Sequence, residues 1–418
     1  MDELFRRGFV RSVGILTGGT AIGQAITVLM LPIITRFYSP EDFSLLAVYM
    51  ALVAVFSVVG CLRYNIAIPL PENDCQGINV LALSLLASTV ISLILAIPML
   101  LMASGFAALL GQPGLETLLW MVPVGVWASS MYTGLQYWAS RKKRFGLITK
   151  TLITRSLGGV SAQLGLGYFG SGAFGLLLGQ TLNNSLGVFG LARSTLREDR
   201  AAIRQVSLKE MARNLKKFRR YPIYSVPEAL CNTAGLQVPI LIIASLAVGP
   251  EAGFVLLSMR VLGLPIRLIG GSVGQVYLSE AGEKLRQGDL PSFTRRTMAT
   301  LAKVGIVPIL LAGLISPFVF GPVFGDEWAR AGVIVAWMTP WFFLQFVVSP
   351  VSMVLNVVNR QELAFLLQVV GLLLRVIAVL GAARFAPSMQ AEVFAVTSAG
   401  FYCLYAFVVL SVSRTVTV

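Results

Sequence analysis

LAFLLQVVGLLLRVIAVLGAA, residues 363–383, is the stretch on which the fold turns. It runs 21 residues with a single charge, Arg375, and no turn-forming pair. Crossing a hydrocarbon layer of about 30 Å takes about 20 apolar residues in a helix. A barrel strand would alternate apolar and polar residues, whereas this run is apolar at odd and even positions alike. The stretch predicts a transmembrane helix.

Working outward, eleven further runs of the same kind are found, at 12–35, 45–62, 78–102, 117–139, 146–168, 171–192, 222–247, 253–278, 299–323, 331–355 and 391–412. The whole chain of 418 residues is 56% hydrophobic and only 12% charged, with a mean hydropathy of +0.79. Soluble domains are about 25% charged. The expectation is an all-α polytopic membrane protein of twelve transmembrane helices in two parallel six-helix lobes. The first run, Ser12–Thr35, follows Arg6, Arg7 and Arg11, is too long for a cleaved leader and reads as a retained signal anchor. Cys61, Cys75, Cys231 and Cys403 are scattered, so they read as packing residues, without a metal or disulfide role.

Loop charge sets the expected orientation. With a cytoplasmic N-terminus, 24 Lys and Arg fall in inner segments and 3, Arg36, Arg330 and Arg384, in outer loops. Both termini are therefore expected inside. The formal net charge of +14 then reflects membrane topology, since no basic soluble domain that would bind nucleic acid is present.

The single long polar segment, 193–221 (RSTLREDRAAIRQVSLKEMARNLKKFRRY), carries ten basic residues and divides the chain into 1–192 and 222–418, six runs each. It reads as a linker lying on the anionic inner leaflet, with protein docking as the other reading. The halves share a pattern: Ser39-Pro40-Glu41-Asp42-Phe43-Ser44-Leu45-Leu46 against Gly249-Pro250-Glu251-Ala252-Gly253-Phe254-Val255-Leu256-Leu257. Each copy follows a run that starts inside, so the repeat is parallel, a plan that transporters use. Gly19 and Gly23 give the first run a face for close helix contact, and Pro32, Pro227 and Pro239 can kink their helices.

The chain has no histidine, and no GxSxG, HExxH or GxxxxGK[ST] motif, which removes the usual general base and the common hydrolase, zinc and nucleotide sites. Outer loops are too short to build a soluble catalytic site, so no enzyme is expected. What stands out is basic charge inside the runs. Arginine at a bilayer centre costs roughly 2.5–3.5 kcal/mol on insertion scales. Lys150 and Lys303 lie near run ends and can snorkel, but Arg155, Arg260, Arg267 and Arg375 lie deeper. Arg260 and Arg267 are seven residues apart, about two turns, hence on one helix face. Each arginine can cap carbonyls or pair within the bundle. Acids to match them all are missing, since Glu228 alone lies well inside a run. Guanidinium groups offer phosphate a planar fork, so an anionic, phosphate-bearing cargo would supply the missing charge. Gln24, Gln163, Gln180, Asn183, Asn184, Asn232, Gln237 and Gln275 can line a path for a hydroxyl-rich cargo or tie helices together. Glu228 is the one candidate for a coupling proton, and a salt bridge is its other reading. No cofactor or metal is indicated.

Leu16–Tyr49 (LTGGTAIGQAITVLMLPIITRFYSPEDFSLLAVY), Cys61–Pro71, the segment RRYPIYSVPEALCNTAGLQVPILII, the segment GPEAGFVLLSMRVLGLPIRLIGGSVGQVYLSEA and Asn359–Ala382 together resemble bacterial O-antigen flippases of the Wzx type. These are polysaccharide transporters of the multidrug/oligosaccharidyl-lipid/polysaccharide exporter superfamily. The resemblance implies two six-helix lobes in a V around a cationic cavity. It also implies a polyprenyl-pyrophosphate-linked oligosaccharide as cargo, moved to the periplasmic leaflet of the inner membrane by alternating access. Arg155, Arg260, Arg267 and Arg375 are the expected pyrophosphate ligands, with Arg63 at the inner mouth, and Gln24, Asn183, Asn232 and Gln275 as polar lining. Proton or sodium coupling, and partnership with glycan polymerase machinery, are further expectations. Lipid II flippases are also similar, but they carry arginines within the first span, and here none precedes Arg36 within it. A drug or organic-cation antiporter of the same superfamily is the other reading, and it calls for acids where this chain has arginines.

Overall fold

The computed structural model describes residues 18–415. Arg6, Arg7, Arg11 and the start of the expected signal anchor lie outside the described residues. Every regular element among those described is helical. Twelve long helices follow in order: α1 (Gly18–Ile34), α2 (Pro40–Gly60), α3 (Asp74–Leu101), α4 (Met121–Arg141), α5 (Phe145–Tyr168), α6 (Gly172–Glu198), α7 (Tyr221–Leu246), α8 (Glu251–Arg286), α9 (Leu290–Phe324), α10 (Ala329–Val348), α11 (Gln361–Phe385) and α12 (Gln390–Thr415). Of these, α2, α3 and α7 to α12 are long and apolar enough to cross a membrane by length and composition alone, and α1 is apolar but shorter. Helices α4, α5 and α6 fall short because Ser, Thr, Tyr, Gln, Asn and Arg replace aliphatic side chains along them. The protein is a multi-pass membrane protein.

The chain forms two compact units. One holds residues 1–30 and 45–237, the other residues 31–44 and 238–418. The boundaries fall inside helices. The end of α1 and the start of α2 belong with the second unit, and most of α7 belongs with the first.

Within the first unit, glycines let helices approach. At Gly19 a Cβ would strike Thr149, and at Gly23 it would come 2.9 Å from Ser156 Oγ, so the small-residue face of α1 does pack closely, on α5. Where α5 meets α6, a Cβ at Gly159 would lie 2.7 Å from the Cβ of Asn183, and one at Gly179 would lie 2.9 Å from the Gly159 carbonyl. Buried Gln163 donates Nε2–H to the Leu176 carbonyl at 3.1 Å across the same seam, which makes it interhelical glue.

The basic linker is docked against protein rather than only laid on lipid. Its helix, Leu208–Lys217, starts at an N-cap in which Ser207 Oγ accepts from the Glu210 amide, and it buries Met211 with Tyr64 and Leu83. Two polar anchors hold the segment. Asn79 Nδ2 donates to the Gln205 carbonyl at 3.1 Å while its Oδ1 accepts from the Ser207 amide at 3.0 Å. Asp199, buried, accepts from Arg144 at 2.7 and 2.8 Å and from Trp138 Nε1 at 2.9 Å. Lys142 bonds Asp74, and Arg141 donates to the carbonyls of Ile68, Pro69, Pro71 and Glu72. Much of the basic run 141–144 is therefore spent on structure. Its charge alone marks topology, and the acids that claim it lie well away in sequence.

In the second unit the two copies of the Pro-Glu…Phe pattern meet. Phe43 and Phe254 both pack edge-on against buried Trp328, with ring centroids 4.7 and 5.9 Å away. Trp328 Nε1 donates to the Thr35 carbonyl at 3.2 Å, and Arg36 reaches the Pro322 carbonyl at 3.2 Å. A side chain at Gly253 would run into the Pro40 carbonyl, so only glycine permits this approach.

Candidate functional site: the arginines of the two units

Arg155, on α5, is held in place by its neighbours. Its guanidinium lies 4.0 Å over the ring of Tyr132, and its Nε donates to the Asn183 carbonyl at 2.7 Å. Asn183 Nδ2 returns a bond to the Arg155 carbonyl at 3.2 Å, so α5 and α6 clamp the stem of this side chain. Gly187 makes room, because a Cβ there would lie 2.7 Å from Arg155 Cδ. The two Nη groups make no hydrogen bond among the described residues, which leaves the outer end of the fork unbonded. Tyr132 was not singled out by sequence. The signal was a Tyr and an Arg on runs joined by a short loop.

Arg63 follows the end of α2 with φ 61° and ψ 9°, beside Leu62 at φ 47°. Two successive non-glycine residues in the left-handed region cost about 1–3 kcal/mol each, and Cys61 Sγ at 3.2 Å from the Ser130 carbonyl helps hold this turn. Arg63 Nε is buried without a partner.

In the second unit Arg260 and Arg267 lie on one helix, seven residues apart. Their register is not that of an unbroken α-helix. After Pro265, residues Ile266–Gly270 form a π-helical turn that carries Arg267, a local feature that recurs at functional positions. Arg260 is buried and Arg267 exposed, so the pair runs from interior to surface.

Arg375 is placed differently. At 2% exposure it is sealed between α11 and α12, with Nε donating to Ser398 Oγ at 2.9 Å and the guanidinium 4.3 Å over Phe401. Its Nη2 is buried with no partner. In this conformation it meets no solvent.

The remaining expected residues divide by exposure. Glu228, Asn232 and Gln275 are exposed, and Gln24 is half-buried. Glu228 and Asn232, four residues apart, share one face of α7, which begins with a second π turn at Tyr221–Ser225. Glu228 lies eight residues into α7 and is exposed, whereas Glu251 and Glu392, at the starts of α8 and α12, are buried. No group of three or more metal-ligating side chains is found among the described residues.

The fold is one shared with solved structures. The chain is similar to an inward-facing multidrug resistance MATE family transporter of the MOP superfamily, with a TM-score of 0.68 at 13% identity, covering 95% of this chain and 94% of that one. It is similar to the lipid II flippase MurJ in an inward closed conformation, with a TM-score of 0.67 at 13% identity over 97% and 87% of the two chains. It is also similar to a MOP superfamily transporter from Pyrococcus furiosus whose binding pocket is described as reversed in polarity, with a TM-score of 0.63 at 15% identity over 97% and 95%. No match is found among curated proteins. At such identities these likenesses establish the fold. Family follows from sequence: residues 33–332 match the profile described as "Polysaccharide biosynthesis protein", and the chain belongs to that family. The resemblance read from Leu16–Tyr49 and the later blocks is borne out.

Proposed function

We propose that the protein is a flippase that carries a polyprenyl-pyrophosphate-linked oligosaccharide, such as an O-antigen repeat unit, from the cytoplasmic to the periplasmic leaflet of a bacterial inner membrane. It works by alternating access through a cationic cavity, with both termini cytoplasmic. The observation that carries this reading is the placement of Arg260 and Arg267, two cations on one apolar helix. Arginine inside a bilayer is costly, and its planar fork suits an anionic, phosphate-bearing cargo. Arg155, held by Tyr132 and Asn183 with its Nη groups unbonded, supports the same conclusion, and Arg63 adds a strained cation at the inner mouth. Arg375, sealed from solvent, serves as an internal tie between α11 and α12. Asn183 acts through Arg155, while Gln24, Asn232 and Gln275 offer amides to sugar hydroxyls. Anionic inner-leaflet lipids meet the exposed basic residues of the linker, and a glycan polymerase is the partner expected downstream. A cation exporter with this fold would place acids where these arginines stand.

The test is reconstitution into liposomes with a lipid-linked oligosaccharide, read by its exposure to an external glycosidase. Wild-type protein should speed exposure, and Arg260→Ala and Arg267→Ala should each abolish the gain at equal incorporation. Absence of protein-dependent exposure, or full activity in both variants, would overturn the reading.

A further inference from the structure

Three charged side chains meet at the starts of α8, α10 and α12 in the second unit. Arg330 donates Nε–H to Glu251 Oε1 at 3.0 Å and Nη2–H to Glu251 Oε2 at 3.4 Å. The same Nη2 stands 2.6 Å from Glu392 Oε1 and 3.2 Å from the Ser388 carbonyl. Both carboxylates are buried, with Glu251 at 9% and Glu392 at 5% exposure.

The arrangement is short of charge and of hydrogens. Two carboxylates face one guanidinium, so with both ionised the cluster carries one net negative charge. A buried charge without a partner is costly. Nη2 has two hydrogens, yet three acceptors, Glu251 Oε2, Glu392 Oε1 and the Ser388 carbonyl, share it. Independently, Glu392 Oε2 is buried with no hydrogen-bond partner. Gln390, two residues earlier, donates Nε2–H to the Pro387 carbonyl and leaves its own Oε1 buried without a donor. One proton on Glu392 would remove the excess charge and occupy its unpartnered oxygen.

Among the described residues no other charge forms an ion pair with the cluster. Against α12, helix α9 brings only Arg295, Arg296 and Lys303. Helix α11 brings Glu362, Arg375, which is tied to Ser398, and Arg384. Besides Glu251, α8 brings Arg260, Arg267, Glu280, Glu283, Lys284 and Arg286 further along. Asp326 and Glu327 precede α10 and form no ion pair with the cluster among the described residues.

We propose that Glu251, Arg330 and Glu392 form a proton-binding site, in which Glu392 takes up one proton while Glu251 stays paired with Arg330, and that its loading drives the transport cycle. In the loading step a proton from water adds to Glu392 Oε2, a new O–H bond forms, and the cluster passes from one net negative charge to neutral. A proton fits better than a metal cation, because the arginine already fills the space between the carboxylates with positive charge. The proton site stands on its own geometry, while the coupling clause rests on the flippase reading.

Two measurements separate them. The first is infrared difference spectroscopy on the purified protein in lipid, across a pH titration. Wild type should show a titrating carboxylic-acid carbonyl band that disappears in both Glu392→Gln and Glu251→Gln, each of which replaces the acid with a neutral group of the same shape. A band that persists in both variants, or one set by sodium rather than pH, overturns the site. The second is the glycosidase assay with and without an imposed proton gradient. The ratio of rates should exceed one in wild type and fall to one in Glu392→Gln. A wild-type ratio of one overturns the coupling. If wild type shows no flipping at all, the flippase reading fails and the infrared result still decides the site.

Discussion

Asp199→Asn should free the basic linker from the first unit, and the size of the effect can be worked out. The Asp199 side chain is 4% exposed and Arg144 18%. The carboxylate receives both Arg144 nitrogens at 2.7 and 2.8 Å, Trp138 Nε1 at 2.9 Å, and Lys142 Nζ as a looser ion pair at 3.7 Å. Removing one partner of a fully buried pair costs about 3–5 kcal/mol. Two circumstances reduce that here. Asn keeps the shape and one oxygen for Trp138 or Arg144, and Arg144 retains Glu198, 3.2 Å from its Nε. A loss of about 2 kcal/mol is the expected outcome, which raises the open fraction of the linker about thirtyfold at 1.4 kcal/mol per decade.

The assay is limited trypsin digestion of the protein in lipid nanodiscs at low protease. There, cleavage tracks the population of the opened state. Arg200, Arg204, Lys209, Arg213, Lys216 and Lys217 supply the cut sites. The rate in this window should rise by about thirtyfold in Asp199→Asn and return toward wild type in no single charge reversal at Arg144. Cleavage within threefold of wild type would show that Asn79 and the Met211 contacts hold the linker alone, and the account of Asp199 as its main anchor would be wrong.

Further outcomes follow from the same structure. Burial pushes the Asp199 carboxyl up, but hydrogen bonds from Arg144 and Trp138 and the charges of Arg144 and Lys142 outweigh it, so the group titrates below its ordinary 3.8. Linker protection is therefore complete at pH values above that ordinary value and is lost only as pH falls through the lower folded pKa; digestion with acid-active proteases across that window reads it. Gly253→Val forces a branched side chain into the Pro40 carbonyl and should cost about 1–3 kcal/mol as overpacking, seen as a lower melting temperature in detergent. Arg155→Lys keeps the charge but loses the fork and the stacking on Tyr132, so flipping should fall nearly as far as in Arg155→Ala; equal rates in Lys and wild type would assign Arg155 a simple charge role. Arg375→Met fills similar volume without a buried charge, and such swaps are commonly neutral or stabilising. Its melting temperature should hold or rise with flipping intact, and a loss of flipping at full stability would return Arg375 to the substrate path.

The helices were legible because membrane burial writes itself into every residue of a run: GLLLRVIAVL admits one reading. Runs α4 to α6 were still found, though they are the least apolar, since their polar residues are spread thinly. The site was legible only as a list. Arg155, Arg260, Arg267 and Arg375 look alike in sequence, each a lone cation among aliphatic neighbours. What separates the fork at Arg155 from the sealed Arg375 is the partner across the helix seam, Asn183 and Tyr132 in one case, Ser398 and Phe401 in the other. Partners far apart in sequence leave no local signal. Glu251, Arg330 and Glu392 were hidden for a further reason. Each sits at a helix start, where a charge ordinarily reads as a solvated cap.

Where the chain passes between its compact units, it does so at weak points in helices. One passage is at Met30–Leu31, where α1 is interrupted, and Pro32 follows. Another is at Gln237–Val238, followed by Pro239 inside α7. Proline removes a backbone donor and crowds the preceding turn, so each of these helices is weakened near that point. The third passage, at Ser44–Leu45, has no proline, and just before it the segment 31–44 is tied to the second unit by Trp328, Arg36 and Gly253. The small-residue face of α1 thus packs within the first unit, and the repeat motif that follows it packs within the second.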